Sequence, residues 1–346
     1  MSTPKYRSDF RVAIICALPE EKEAVVAVMD RLYSEEDIYI PGHVNDTNTY
    51  TYGQLGGQPV ALCSLRDAGT RTAAQALAKM EVSFLKLTII FVVGIAGGAP
   101  FKKGGTSTGI RLGDVVISNA IYQHDFAKQN EDGVEIITDY DRQLPQLRGK
   151  AATWIKHLSP KDIARIAKNT NIDFVLYGDL LAGKYTQPAL ETDRIYDRDH
   201  RHKHRVGCEI CAQTTETTGT VCSLVQNEAC SAINCKAEAM PPRTRSGTEI
   251  FIGPYVSGSQ VIKSAQHRAK LVELFGALAL EMEGAGSCGE YPILIVKGIV
   301  DYADSHKNKH WRLYPAAMAA LCTRAIIQDM QLGSGTYACL RFYIDC

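Results

Sequence analysis

The chain has 346 residues, 45% apolar and 22% charged, with 38 Lys+Arg balanced by 38 Asp+Glu. That length can bury a substantial core, and a zero formal net charge gives no global attraction to nucleic acid or to an acidic membrane surface. MSTPKYRSDF lacks the apolar stretch of a signal peptide, and the longest apolar run, LTIIFVVGIAGGA (87–99), is too short to span a bilayer, so a cytoplasmic or nuclear enzyme is expected.

In chain order, RVAIICAL (11–18) is a β-branched apolar run ending at Pro19, and EEKEAVVAVMDRLY (20–33) follows with helical spacing: strand, then helix. NTYTYGQLGGQPVALCSL (48–65) reads as a hairpin with a Gly-Gly turn. TRTAAQALAKMEVSFL (70–85) is an amphipathic helix. TIIFVV (88–93) is a fully apolar strand leading into the glycine-rich turn GIAGG, and DVVISNAIYQHDF (114–126) is another strand. From about 128 to 249 the chain turns polar. Two helical stretches, LPQLRGKAATWIKHL and PKDIARIAKN, precede loop-like sequence, which predicts a long insertion on the scaffold. Then come a strand in EIFIGPYVSGSQVI (249–262), a helix in VIKSAQHRAKLVELFG (261–276), a buried strand in PILIVKGIVDYAD (292–304) and a terminal helix in RLYPAAMAALCTRAIIQDM (312–330). Alternating strands and helices predict an α/β core.

Four features stand at strand ends, where an open α/β sheet places its site. LPEE (18–21) has the Pro and acids of a helix start. VVGIAGG (92–98) lets backbone approach a ligand at Gly94, or simply permits a tight turn; it is neither a dinucleotide fingerprint nor a P-loop. In LEMEGAG (280–286), Glu281 and Glu283 share a face if the segment is extended, or open an exposed helix. In IVDYADSHKN (299–308), Asp301 sits at the mouth of an apolar strand. Partial desolvation there favours the protonated form needed of a general acid. Asp304 reads as a helix N-cap.

Together, NDTNTYTYGQLGG, VVGIAGG, RLGDVV, YQHDF, VSGSQV, LEMEGAG and IVDYADSHKNKHW resemble the purine/uridine phosphorylase superfamily. The spelling is most similar to nucleosidase-like fungal domains of the methylthioadenosine/S-adenosylhomocysteine nucleosidase type. The resemblance covers about 10–127 and 249–330. It implies a three-layer α/β/α fold around a central mixed sheet, as one domain over 10–330 interrupted at about 128–249, with a tail at 331–346. It implies that Asp301 is the acid at the base, that Glu283 binds the ribose hydroxyls and that Met282 packs under the sugar. Val261 and Ile262 fall at the base pocket, Val261 where relatives carry a stacking aromatic. Val300 replaces a small hydroxyl residue beside the acid. Asp125 and Phe126 resemble a segment near the sugar. Site-borrowing homo-oligomers are usual in the superfamily, so at least a dimer is expected.

The superfamily runs phosphorolysis and hydrolysis on one scaffold. Phosphorylases carry a Gly-x-Pro-x-Arg loop after the first strand and an Arg before the glycine-rich turn; here stand ALPEE and Val92. A carboxylate about 4 Å from one phosphate charge costs on the order of 4 kcal/mol at an effective dielectric of 20, about a thousandfold in binding. Glu21 matches the nucleosidase residue that delivers water, so hydrolysis is expected, without cofactor or metal, on an adenine-type purine nucleoside or nucleotide. Lys307, its neighbours His306, Lys309 and His310, and Arg71, Lys102 and Lys103 are either phosphate contacts or solvated surface charge. Phosphorolysis and a non-catalytic nucleoside-binding module are the alternatives.

Cysteine number is 11. Cys16, Cys63, Cys288 and Cys322 lie in apolar runs and read as buried thiols. Cys208 and Cys211, preceded by His202 and His204, form a Cys-x-x-Cys followed by Cys222, Cys230 and Cys235. A zinc site, free thiols and a loop-pinning disulfide all fit that spacing.

Overall fold

The computed structural model of the chain describes residues 3–330 except 35, 36, 39, 41, 42, 140–146, 182, 217, 237, 238, 242 and 288–291. Cys288 and the 331–346 tail therefore lie outside the described residues.

Strand β1 (Val12–Cys16) is buried along its whole length. Helix α1 (Pro19–Ala27) opens with Pro at its first position, where a missing N–H is tolerated. It ends at Ala27 rather than at 33, because the following backbone finds sheet partners. Asp30 and Tyr33 N–H donate to the carbonyls of Gln54 and Tyr52, making the short edge strand β2 (Arg31–Leu32). Strands β3 (Thr49–Leu55) and β4 (Gln58–Ser64) form the expected hairpin; Gly56 and Gly57 have φ of 58° and 82°, which the two-residue turn requires. Next come α2 (Thr70–Ser83) and β5 (Ile89–Gly98). The segment GIAGG is strand rather than turn, since Gly94 to Gly97 pair with a later strand and Gly97 and Gly98 with another.

The remaining elements are β6 (Val115–Gln123), β7 (Ala127–Asn130), β8 (Gly133–Ile136), α3 (Gly149–His157), α4 (Pro160–Leu176), α5 (Gly178–Leu181), α6 (Glu209–Ala212), β9 (Ile250–Ser257), α7 (Ala265–Phe275), β10 (Ala279–Glu281), α8 (Gly284–Ser287), β11 (Ile293–Asp301) and α9 (Leu313–Asp329). Ser264 caps α7 by accepting from His267 N–H, and Gly276 closes it in the left-handed conformation.

The main sheet is mixed, in the order β10-β9-β6-β11-β5-β1-β4-β3-β2. β5 runs parallel to β1 and β11, whereas β6 runs antiparallel to β11. β10 also pairs antiparallel with the end of β5, so the sheet curls back on itself. Helix α9 is apolar nearly all round and correspondingly buried from Tyr314 to Thr323. It packs over β5 and β11 beside α1 and α4. Ala151 of α3 and Ile166 of α4, which fall within 128–249, join this main core. The α/β fold with a central mixed sheet is the one the sequence predicts.

Candidate active site

The ends of β1, β10 and β11 converge on one cavity of about 560 Å³. Glu21, Val261, Ile262, Glu281, Met282, Glu283, Asp301 and Lys307 all line it. These residues span nearly the whole chain, and the curl of the sheet brings them together.

Glu21 is both a helix cap and a cavity residue. Its Oε2 accepts from the Ala17 and Leu18 N–H groups at 2.9 Å each, and its Oε1 from Ile95 N–H at 2.8 Å. The carboxylate occupies space that Gly94 leaves free, since a Cβ on Gly94 would stand 1.9 Å from Oε1. Gly94 itself does not line the cavity; its role is to admit Glu21.

Lys297, which no sequence motif singles out, is fully buried opposite Gly94 in the β5–β11 register. Its Nζ lies 3.0 Å from Glu283 Oε2 and 3.6 Å from Glu21 Oε1. Burial opposes its charge, but Glu21, Glu283 and Glu281 outweigh that and hold the ammonium above the ordinary lysine range. Burial raises Glu21, with Lys297 opposing. The one sequence signal for Lys297 is a lone cation inside the apolar strand PILIVKGIV, a position lysine rarely occupies without a partner.

The segment LEMEGAG is not an exposed helix start. Glu281 and Glu283 are both buried, and β10 ends at Glu281 before the short α8. Glu281 is turned onto the backbone, where it accepts from Glu283 N–H at 2.9 Å and Gly284 N–H at 3.0 Å. Burial, then the charge of Glu283, pushes its carboxyl up to about 7. Glu283 faces Lys297 and accepts from Gly69 N–H at 3.3 Å.

Asp301 ends β11. Its Oδ1 accepts from Ala303 N–H at 2.8 Å, and Oδ2 pairs with Lys307 Nζ at 2.7 Å. These two groups stand in for the hydroxyl partner that Val300 lacks. Asp304 is not a helix cap: it is buried, accepts from His306 N–H at 2.8 Å and lies 3.6 Å from Arg268. Asn308 caps the following short helix instead.

Other expected site residues fall outside the cavity lining. Asp125 ties the exit of β6 to the loop after β9 by accepting from Ser259 N–H at 2.8 Å. Phe126 and Arg71 are exposed, and Lys103 pairs with Glu273 at 3.2 Å on the surface. Lys309, Lys263 and Arg312 join Lys307 in the lining. Val261 is 58% exposed, so it is a weak platform for a base. Among the described lining residues the one ring is that of His124, which burial holds below the usual histidine range. His124 is a second residue that sequence reasoning missed.

The fold that emerges is a curled mixed sheet with acids gathered at its strand ends. The sequence model of the phosphorylase superfamily matches residues 11–160, so that part of the chain carries the superfamily's pattern. A curated relative in Hyaloscypha variabilis, a nucleotide-binding leucine-rich repeat (NLR)-like protein, is 30% identical over 327 residues. The match takes in 92% of this chain, which spans 29% of that protein's length. The 5'-methylthioadenosine/S-adenosylhomocysteine nucleosidase of Neisseria meningitidis, solved with methylthio-immucillin-A, is similar in fold: TM-score 0.53, 17% identity, covering 94% of this chain and 100% of the other. Futalosine hydrolase of Helicobacter pylori gives TM-score 0.53 and 14% identity over 93% and 98% of the two chains.

Proposed function

We propose that this domain hydrolyses the N-glycosidic bond of a purine nucleoside or nucleotide and releases the free base. The observation that carries the reading is the meeting of Glu21, Glu283 and Asp301 in one cavity, with Glu21 fixed by three backbone donors. In this reading water attacks the anomeric carbon while the bond to the purine nitrogen breaks and its electron pair passes to the base. Asp301 delivers a proton to the purine, Glu21 takes one from the water, and Glu283 holds the ribose hydroxyls and offsets the ribosyl cation. Met282 packs beneath the sugar, and Val261 and Ile262 flank the base.

Both oxygens of Asp301 already have partners. A purine that takes the place on Oδ2 now held by the ammonium engages this acid by displacing Lys307. A substrate phosphate at the mouth, beside Lys263, Lys307, Lys309 and Arg312, is the natural counter-ion to draw Lys307 away. This favours a nucleotide over a free nucleoside. The same ion pair is what favours a binding module that holds a nucleoside without cleaving it.

Release of base from adenosine, inosine, methylthioadenosine and ATP, followed by chromatography in phosphate-free buffer and again in phosphate, tests the proposal. Hydrolysis without phosphate, fastest with phosphorylated substrate, is the expected result. Cleavage that requires inorganic phosphate makes the protein a phosphorylase, and binding without any cleavage makes it a binding module.

A further inference from the structure

The segment from Arg194 to Lys236 is laced by polar contacts such as Lys203 Nζ to the Thr214 carbonyl at 2.7 Å, but it has little apolar core of its own. Among its described residues, helical structure amounts to α6 and a short 3-10 turn at Ser223–Asn227. Its own cluster of buried side chains is Tyr196, Cys211, Cys222, Val225, Ile233 and Cys235, half of them cysteines. A core this small needs a covalent or metal staple. All five cysteines of the segment are free thiols rather than disulfides.

These thiols are gathered around imidazoles in three groups, two of which share Cys235: the third is His200, Cys235 and His306. In the first, the ligand atoms of His204, Cys208, Cys211 and Cys222 all lie within 4.8 Å of one another. His204 Nδ1 is 3.7 Å from Cys211 Sγ and 3.2 Å from Cys222 Sγ. In the second, His202, Cys230 and Cys235 meet the same criterion, with His202 Nδ1 3.6 Å from Cys230 Sγ and 3.5 Å from Cys235 Sγ. Zn–S and Zn–N bonds of about 2.3 and 2.05 Å at a tetrahedral angle put sulfur and nitrogen about 3.6 Å apart. The first two groups are already at that spacing. A three-thiolate, one-imidazole set is a closed structural donor set, and soft thiolates select zinc over hard cations.

His306 supplies an independent pointer to the second site. Its side chain is 2% exposed, and neither ring nitrogen has a hydrogen-bond partner. The nearest acid oxygen, on Asp304, is 3.7 Å from Nδ1, beyond hydrogen-bond reach. The ring stacks on Tyr196 at 4.0 Å, and a nitrogen of it lies within 4.8 Å of the Cys235 sulfur. A buried imidazole with two idle nitrogens beside a thiol is what a fourth ligand looks like.

We propose that the 194–236 segment is a two-zinc module: one ion held by His204, Cys208, Cys211 and Cys222, the other by His202, Cys230, Cys235 and His306. The second ion would join the module to the loop that carries Lys307. Two hydrogen bonds run along the same seam, from His202 N–H to Ser305 Oγ at 3.0 Å and from Lys309 Nζ to Asn227 Oδ1 at 3.2 Å. Gln226 and Asn227 in turn form part of the cavity wall. Zinc in this module thus sets the position of one wall of the site.

Elemental analysis of the full chain, purified under reducing, chelator-free conditions, should find roughly two zinc ions per chain. Cys211→Ser and Cys230→Ser should each lose one ion and keep the other. His306→Ala should keep the first and weaken retention of the second at least about tenfold. Should these variants fail to fold, cobalt exchanged into the native protein gives a second readout, the visible bands of tetrahedral thiolate-bound cobalt. Reduced protein that carries no zinc and takes up no cobalt overturns the proposal, as do disulfide-linked peptides spanning these cysteines. An unchanged zinc content in Cys230→Ser, or unchanged retention of the second ion against a competing chelator in His306→Ala, overturns the second site. Chelation should also expose 194–236 to protease and slow base release. That last effect rests on the proposed activity, whereas the zinc count does not, so a zinc-loaded protein that releases no base refutes the activity alone.

Discussion

Replacing Lys297 by Met removes the ammonium that faces Glu21 and Glu283 in a fully buried setting. Breaking a buried ion cluster by deleting one partner costs about 3–5 kcal/mol, because the remaining charges are left uncompensated. With roughly 0.7 kcal/mol/K of unfolding entropy for a chain of this length, a loss of about 4 kcal/mol lowers Tm by about 5 °C. The loss has a pH signature. Glu281 has a folded value of about 7, above the ordinary glutamate value of about 4.3, so its contribution is fully present at low pH and is lost as pH rises through 7. Glu21 is raised in the same direction. Removing Lys297 takes away a lowering influence on both, which carries this loss to higher pH. Lys297 is itself raised, so its own contribution is intact below the ordinary lysine value of about 10.4. The gap between native protein and variant should therefore be widest between about pH 7 and 10 and should narrow below about pH 5. Thermal and urea denaturation across that range measure it. A gap under about 1 kcal/mol, or one that does not change with pH, would refute the buried-cluster reasoning.

Asp301→Asn should lower kcat for base release by about 10²–10⁴-fold with little change in Tm, measured by chromatography of the free purine. Glu21→Gln should cause a loss of similar size. If the unsubstituted protein releases base as proposed, the acid limb of its kcat/KM should lie above the ordinary glutamate value of about 4.3, because burial raises Glu21. Gly97→Ala places a Cβ 2.9 Å from the Ala303 Cβ and 3.1 Å from Asp301 Oδ1, so base release should fall at least about tenfold for about 1–3 kcal/mol of stability. Lys307→Met should raise KM for ATP while leaving adenosine unaffected or better cleaved; an equal effect on both would mean that Lys307 does not see the phosphate.

Asp301, Glu283 and Glu21 were legible because strand ends are visible in sequence and because acids at such ends stand out against apolar runs. Their meeting in one cavity was not visible; it comes from the return of β10 to β5, which no local pattern encodes. Lys297 escaped notice for a related reason. One of its acids is 14 residues away in sequence, while the other is at the opposite end of the chain. In sequence Gly94 offers room for a ligand or a tight turn, yet in the fold it is room for a side chain. Asp304 follows the composition rule for a helix cap but is claimed by Arg268 and the His306 backbone, a tertiary demand that overrides local preference. The basic residues were the hardest to sort: Lys307 and Lys309 reach the cavity whereas Arg71 and Lys103 do not, and sequence spacing carries no sign of that difference.

The electrostatics of the cavity give a reason for the proposed chemistry that is independent of any one residue's role. Three buried carboxylates, Glu21, Glu281 and Glu283, surround one buried ammonium. Fully ionised, that set leaves an excess of negative charge out of water, which is costly. Burial accordingly pushes Glu21 and Glu281 toward their protonated forms. A neutral ribosyl group does nothing to relieve this excess. A ribosyl cation does, because it brings positive charge to where the carboxylates lack it. The site is thus better matched to the cationic transition state than to the bound substrate, and only that difference accelerates a reaction. It also disfavours an incoming phosphate dianion, which would add to the excess, and so supports the proposal that water is the nucleophile.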